Sequence, residues 1–238
     1  MPEVQHTSSA LHDTRFPNET AEYRTARNAL LSAELDLRRQ IERVAALRRQ
    51  LPDGGAPAED YVFEEAPIAD PGAVRRVRLS ELFGDKQTLL AYSFMFGPAM
   101  QRACPSCTSI LDGLDGENRH IQERAAFVVI AKSPIERILD FARSRGWTNL
   151  RLLSSSGNTY NRDYKGESAT GSQLPSLNVF TRRNGEIRHF YHSELLFAPR
   201  DPGQDGRHVD LIWPLWNLLD YTPEGRGTDW QPRLAYRS

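Results

Sequence analysis

The chain's two cysteines sit together as Cys104-Pro105-Ser106-Cys107. An apolar, strand-like run precedes them and a helix-like run follows. Two thiols three residues apart on the first turn of a helix lie on one side, where one can resolve a mixed disulfide formed by the other. The helix N-terminus adds unpaired N–H groups and the positive end of the dipole, which stabilise a thiolate and lower its pKa. Pro105 fits the first helical position, where its missing N–H costs nothing. Thiol–disulfide chemistry is therefore the leading reading. An inert buried pair and a structural disulfide stand beside it, although closing so short a loop adds little chain-entropy stabilisation. Zinc is the weakest alternative, because a tetrahedral site needs four ligands and no second Cys-x-x-Cys or suitably spaced histidine pair accompanies this one.

Composition narrows the partners. With 238 residues the chain can bury one substantial core, as one elaborated domain or two small ones. A formal net charge of −1 with 26% charged residues gives no basis for binding nucleic acid or an acidic membrane surface. No window approaches the roughly 20 apolar residues of a spanning helix. The polar start, Met1 to His6, does not read as a secretory signal. The expected setting is a reducing cytoplasm, where an isolated Cys-x-x-Cys is more often catalytic than structural. No Walker loop or dinucleotide fingerprint appears, so no cofactor is expected. His189 and His192, three apart on a predicted strand, should face opposite sides and so share no metal.

The elements that must position the cysteines follow from periodicity. Residues 1–20 read as a weakly ordered arm. Residues 22–51 predict an amphipathic helix with Leu30, Leu37, Val44 and Leu51 seven apart and Ile41 and Leu47 widening the stripe. That stripe suits packing on the domain's own core, and it also reaches the length at which two chains pair, a homodimer through this helix. The run from Pro52 to Pro57 ends it. Short strands are expected at 61–63 and 74–79, then a small helix at 80–83. Thr88 to Phe94 and Ala125 to Ala131 read as buried central strands. Between them a helix opens at the cysteines and runs to about Arg124, with a break expected near Gly113 or Gly116. Ser133-Pro134-Ile135-Glu136 predicts a helix start with a serine cap, and Gly146 its end. Residues 150–153 suit a third strand, and the long polar stretch 154–171 a rim for the site. Residues 177–191 form a hairpin around Asn184-Gly185. A further helix lies within 208–219, and Trp213, Trp216 and Trp230 with Tyr221 are expected to pack it and the following tail on the sheet.

Strand, Cys-x-x-Cys at a helix start, strand, helix, then a proline opening a hairpin: Gln173 to Phe180 with the Asn184-Gly185 turn resembles the thioredoxin fold's proline-strand-turn-strand element. Tyr92-Ser93-Phe94-Met95-Phe96-Gly97-Pro98, the four-residue cysteine motif and Asp112-Gly113-Leu114-Asp115-Gly116 together resemble a thioredoxin-like, largely bacterial family of predicted dithiol-disulfide oxidoreductases, a domain of unknown function. The resemblance covers about residues 26–230. It implies an α/β thioredoxin-like fold, a central mixed β-sheet flanked by helices, with the N-terminal amphipathic helix as an extension. The organisation read from this is an arm and helix at 1–57, the thioredoxin-like domain at 58–221 and a tail at 222–238. By the same resemblance Cys104 attacks, Cys107 resolves, and Pro175 follows a cis bond, shields the disulfide and leaves the Leu174 backbone to a substrate chain. Ser106 is placed to donate to the Cys104 thiolate.

One departure stands out: thioredoxin carries a buried acidic residue on the strand before its cysteines, and residues 88–94 contain none. Asp112, Asp115 and His120 are candidate substitutes, though a solvent-facing or turn-forming role is the ordinary reading of each. The loop from Met95 to Ala103 is longer than thioredoxin's, and Phe94, Met95, Phe96 and Met100 suit either a pocket wall or core filler. The function expected is thiol–disulfide exchange, with a disulfide-containing protein or small molecule as substrate and a dithiol donor or glutathione as reductant. A peroxiredoxin-like thiol peroxidase is the near alternative, against which Gln101 stands where such enzymes carry threonine or serine. A non-enzymatic binding or redox-sensing module is the other.

Overall fold

Thr20 opens the first helix, its Oγ1 accepting the Tyr23 N–H at 3.1 Å, and Arg48 and Arg49 close it against the negative end of the dipole. This helix, α1 (Ala21–Arg49), lies in the first of two units, Met1–Pro52; the second is Asp53–Ser238. The computed structural model describes residues 11–199, 202, 210–225, 227 and 229–236. Half of the expected N-terminal arm, and the start of the helix read within 208–219, fall outside them. No residue of α1 is buried; Leu30, Leu37 and Leu47 are all more than half exposed. Among the described residues no helix is long and apolar enough to cross a membrane.

The second unit is built on one seven-stranded sheet: β1 (Val62–Glu65), β2 (Arg75–Arg78), β3 (Thr88–Ser93), β4 (Ala126–Ala131), β5 (Leu152–Ser154), β6 (Ser176–Arg183) and β7 (Glu186–His192), in the order β2-β1-β5-β4-β3-β6-β7. Strands β3, β4 and β5 are parallel neighbours, as helical crossovers require, and the crossovers are α2 (Pro105–Ile121) and α3 (Ile135–Arg145). β6 runs antiparallel to β3, and β7 to β6, through a turn whose Asn184 and Gly185 both take positive φ, 51° and 80°. This mixed sheet with flanking helices is the thioredoxin-like α/β arrangement. α4 (Tyr160–Asp163) and α5 (Pro214–Leu219) complete the helices.

Alternation along the central strands divides the core between the two faces. Tyr92, Phe127, Val129 and Leu152 pack with Cys107, Ile110 and Leu111 of α2 and Ile138 and Leu139 of α3. Leu89, Ala91, Val128 and Ile130 pack on the other side under Leu79, Phe83 and Tyr160. A strand residue buried on both sides of its sheet needs no polar alternation, which is why these strands read as continuous apolar runs.

Several local expectations change. α2 runs through Gly113 and Gly116 without a break, because both face open space and cost only helix propensity. Ser133 does not cap α3. Its N–H donates to the Phe96 carbonyl (3.0 Å) and its carbonyl accepts the Ser154 hydroxyl (2.7 Å), so it ties loops together instead. A bulge between Val179 and Phe180 and their partners shifts the β7 register, so Asn178 faces His192 and Phe180 faces His189. The extra residue puts both histidines on one side of the strand, reversing the expectation of opposite faces. Each has its pKa lowered, by burial first. Beside β7, the Gly54 N–H donates to the His189 carbonyl (3.1 Å) and the His189 N–H to the Gly55 carbonyl (2.9 Å).

Candidate active site

Cys104 sits at the N-cap of α2, half-buried, with Pro105 at the first helical position and Cys107 fully buried one turn in. Its N–H donates to the Met95 carbonyl (3.0 Å), which fixes the residue against the loop leaving β3. Its carbonyl accepts both the N–H (3.0 Å) and the hydroxyl (2.8 Å) of Thr108, closing the first turn. The two thiols are therefore unequal. The Cys107 thiol bonding to the Cys104 sulfur lowers the Cys104 pKa to about 6, helped by the Cys107 and Ser106 N–H groups and the Ser106 hydroxyl and opposed by burial. The same contact, with burial, raises the Cys107 pKa well above the ordinary thiol value. One sulfur is poised as a thiolate near neutral pH and the other is held as a thiol.

The group beside Cys107 that sequence reasoning missed is Tyr92. This tyrosine is fully buried on β3, and its hydroxyl makes no hydrogen bond. It packs in the same core cluster as Cys107: burial raises the phenol pKa first, the neighbouring Cys107 thiol adds to that, and the phenol in turn favours the Cys107 thiolate. The three substitutes read from the sequence are engaged elsewhere. Asp112 holds Arg145 (2.5 Å) and the Trp147 indole N–H (2.8 Å). Asp115 accepts the backbone N–H groups of Thr148, Asn149 and Leu150 through one carboxylate oxygen. His120 is exposed on the last turn, about 20 Å along the helix from Cys107 at 1.5 Å per residue.

The loop from Met95 to Ala103 is stitched down by another unforeseen residue. Arg137 of α3 donates to the carbonyls of Gly97 (3.2 Å) and Met100, and its guanidinium lies 4.3 Å from the centre of the Phe96 ring. Phe94 and Phe96 are core residues, whereas Met95 and Met100 line a cavity of about 700 Å³ that opens on Cys104. Its other wall is the tail segment Pro232 to Ala235. Trp213 and Trp216 are buried against α2, the Trp213 indole N–H donating to the Ser109 hydroxyl at 3.1 Å, and Trp230 meets Trp216 at 5.8 Å between ring centres. The packing surface is α2 rather than the sheet itself, and Tyr221 remains exposed.

Pro175 enters from the other side. Ser176 pairs with Ser93 at the end of β3, so the proline stands beside the start of the Met95–Ala103 loop. Gln173 lies so close to Gly97 that a β-carbon there would meet its Cγ at 2.8 Å, so any larger residue would make the Gln173 side chain shift. No peptide bond among the described residues is cis, so Leu174–Pro175 is trans, against expectation. The reason is local: the Leu174 N–H is held by the Gly166 carbonyl (2.8 Å), Ser176 is already in register, and the chain enters β6 extended without a turn. The polar stretch foreseen as a rim contributes Glu167, paired with Lys132, and Thr170 and Gly171 to a second cavity of about 460 Å³ that does not include the cysteines. Among the described residues no three His, Cys, Asp or Glu side chains gather as metal ligands.

A family described as "Bacterial protein of unknown function (DUF899)" matches residues 13–238. The chain belongs to DUF899. Curated proteins offer no match to it. Among solved structures, this DUF899 chain is similar to thioredoxin peroxidase I of Plasmodium yoelii, with a TM-score of 0.45 and 20% identity over 76% of this chain and 100% of that one. It is similar also to the peroxidoxin BcpB of Mycobacterium tuberculosis (TM-score 0.43, 18% identity, 69% and 95% of the two chains). A third is the lipoprotein thioredoxin Etrx1 of Streptococcus pneumoniae (TM-score 0.39, 12% identity, 65% and 98%).

Proposed function

We propose that this protein is a thiol–disulfide oxidoreductase in which Cys104 attacks and Cys107 resolves. The observation that carries the reading is the asymmetry of the pair: a half-buried thiolate at a helix N-terminus beside a fully buried thiol one turn away. The Cys104 thiolate attacks one sulfur of a substrate disulfide; that S–S bond breaks and the first product leaves as a thiolate. Cys107 then loses its proton, its sulfur attacks Cys104, and the mixed disulfide breaks to release the second thiol. Two electrons pass from the protein to the substrate, and a dithiol donor or glutathione returns them. Tyr92 acts on the resolving step by donating to the Cys107 sulfur as charge develops there. Pro175 borders the approach to the pair; with the Leu174 N–H already committed to Gly166, pairing with a substrate chain falls to the Leu174 carbonyl.

Equilibration in glutathione buffers, followed by thiol alkylation and mass analysis, tests this. A reversible Cys104–Cys107 disulfide poised between about −200 and −290 mV is expected. A pair that never closes would overturn the reading in favour of a binding module on the same scaffold. Rapid single-turnover consumption of peroxide would instead favour the peroxidase.

A further inference from the structure

The cavity that opens on Cys104 has the chemistry of a small-anion site. Its volume, about 700 Å³, is that of a pocket for a small molecule rather than a groove for a folded protein. Met95, Met100 and Leu234 supply apolar lining, and two exposed arginines from separate segments, Arg102 on the loop before the cysteines and Arg233 on the tail, complete it. No aspartate or glutamate lines it, and among the described residues neither guanidinium has an ion-pair partner. The arginine-bearing tail is held in place rather than merely draped: the Leu234 carbonyl accepts Arg145 Nη1 at 2.8 Å, Arg145 is itself fixed by Asp112, and Pro232 is buried. Two guanidiniums without ion-pair partners that share a cavity with Cys104 and apolar side chains suit a ligand that carries both carboxylates and a disulfide.

We propose that this cavity is a subsite for a low-molecular-weight disulfide bearing carboxylates, held by Arg102 and Arg233 with its S–S bond over Cys104. The inference rests on the dithiol reading above and names its substrate class. The electron balance is unchanged: one small disulfide becomes two small thiols while Cys104 and Cys107 join.

Three probes of different charge test it on the reduced full-length protein: oxidised glutathione, 2-hydroxyethyl disulfide and cystamine. The rate of Cys104–Cys107 closure is followed by quenched alkylation, and each rate is divided by that of the same disulfide with a small reference thiolate. Oxidised glutathione is expected to lead cystamine by about tenfold or more, with the neutral disulfide between them. In the R102A/R233A double variant the normalised ratio should fall to about one, and R102E should reverse the order. Taking ratios removes any change in Cys104 nucleophilicity from the result. A wild-type ratio near one, or a preference that survives in the double variant, overturns the subsite while leaving the dithiol chemistry standing. If none of the three disulfides closes the pair, the oxidoreductase reading fails and the subsite with it.

Discussion

At Cys104 a pKa of about 6 makes a measurable difference between the reduced and oxidised protein. Folded, this thiol is ionised above about pH 6; unfolded, it stays protonated up to about 8.5. Between those values the unfolded chain binds the extra proton, so stability of the reduced form rises with pH through that window and is lost as pH falls through 6. Cys107, whose pKa is raised, is a thiol in both states there and adds nothing. The melting temperature of the reduced protein, taken relative to the oxidised one, should therefore climb between pH 6 and 8, and alkylation of Cys104 by iodoacetamide should titrate near pH 6. Tyr92→Phe removes the buried, unpartnered hydroxyl available to donate to the Cys107 sulfur as that sulfur ionises. Because one such bond is worth about 1 kcal/mol, resolution should slow roughly fivefold and mixed disulfide accumulate, while the first attack keeps its rate. Equal slowing of both steps would assign Tyr92 a packing role only. The cysteines announced themselves by their spacing, whereas Tyr92 did not: a tyrosine in an apolar run reads as core, and only the packing of β3 against α2 puts it in one cluster with Cys107.

Arg137 gives the element scale its clearest test. It joins the start of α3 to the loop before the cysteines, through two carbonyls and the Phe96 ring. Arg137→Ala strands those carbonyls and removes the ring contact, so a loss of about 1–3 kcal/mol is expected in urea unfolding. A loss below about 0.5 kcal/mol would mean that water replaces the guanidinium without cost. Strands β3 and β4, the α3 helix with its left-handed Gly146, and the Asn184-Gly185 turn were legible because a buried parallel strand, an αL cap and a tight hairpin each leave a local mark. The β7 bulge left none, since one extra residue alters facing without altering composition. Pro175 was expected cis by resemblance and is trans, because isomer state depends on how Gly166 and Ser93 hold the flanking residues. Ser133 carried the sequence signature of a cap, and tertiary bonds to Phe96 and Ser154 took both its backbone groups instead.

Across the second unit, the wall of the Cys104 cavity depends on indole packing some distance away in sequence. Trp230 meets Trp216, which is buried against α2, and the segment that follows reaches the cysteine. Trp230→Ala is expected to speed alkylation of Cys104 by a bulky maleimide more than by iodoacetamide, because it frees the tail without touching the sulfur. Equal acceleration by both reagents would locate the effect in Cys104 itself. This wall was not readable in the sequence: the tail is rich in glycine and proline, and nothing in its composition names the surface it lies on. The residues beside β7 carry a different consequence. β7 ends the sheet, and Gly54 and Gly55 bond to the backbone of His189 on its outer side. A side chain at Gly54 would run into the His189 carbonyl, so substitution there lifts the strap away. The bare outer strand would then offer its backbone to the matching strand of another molecule, and the first symptom of a Gly54 mutation should be aggregation at protein concentrations the wild type tolerates.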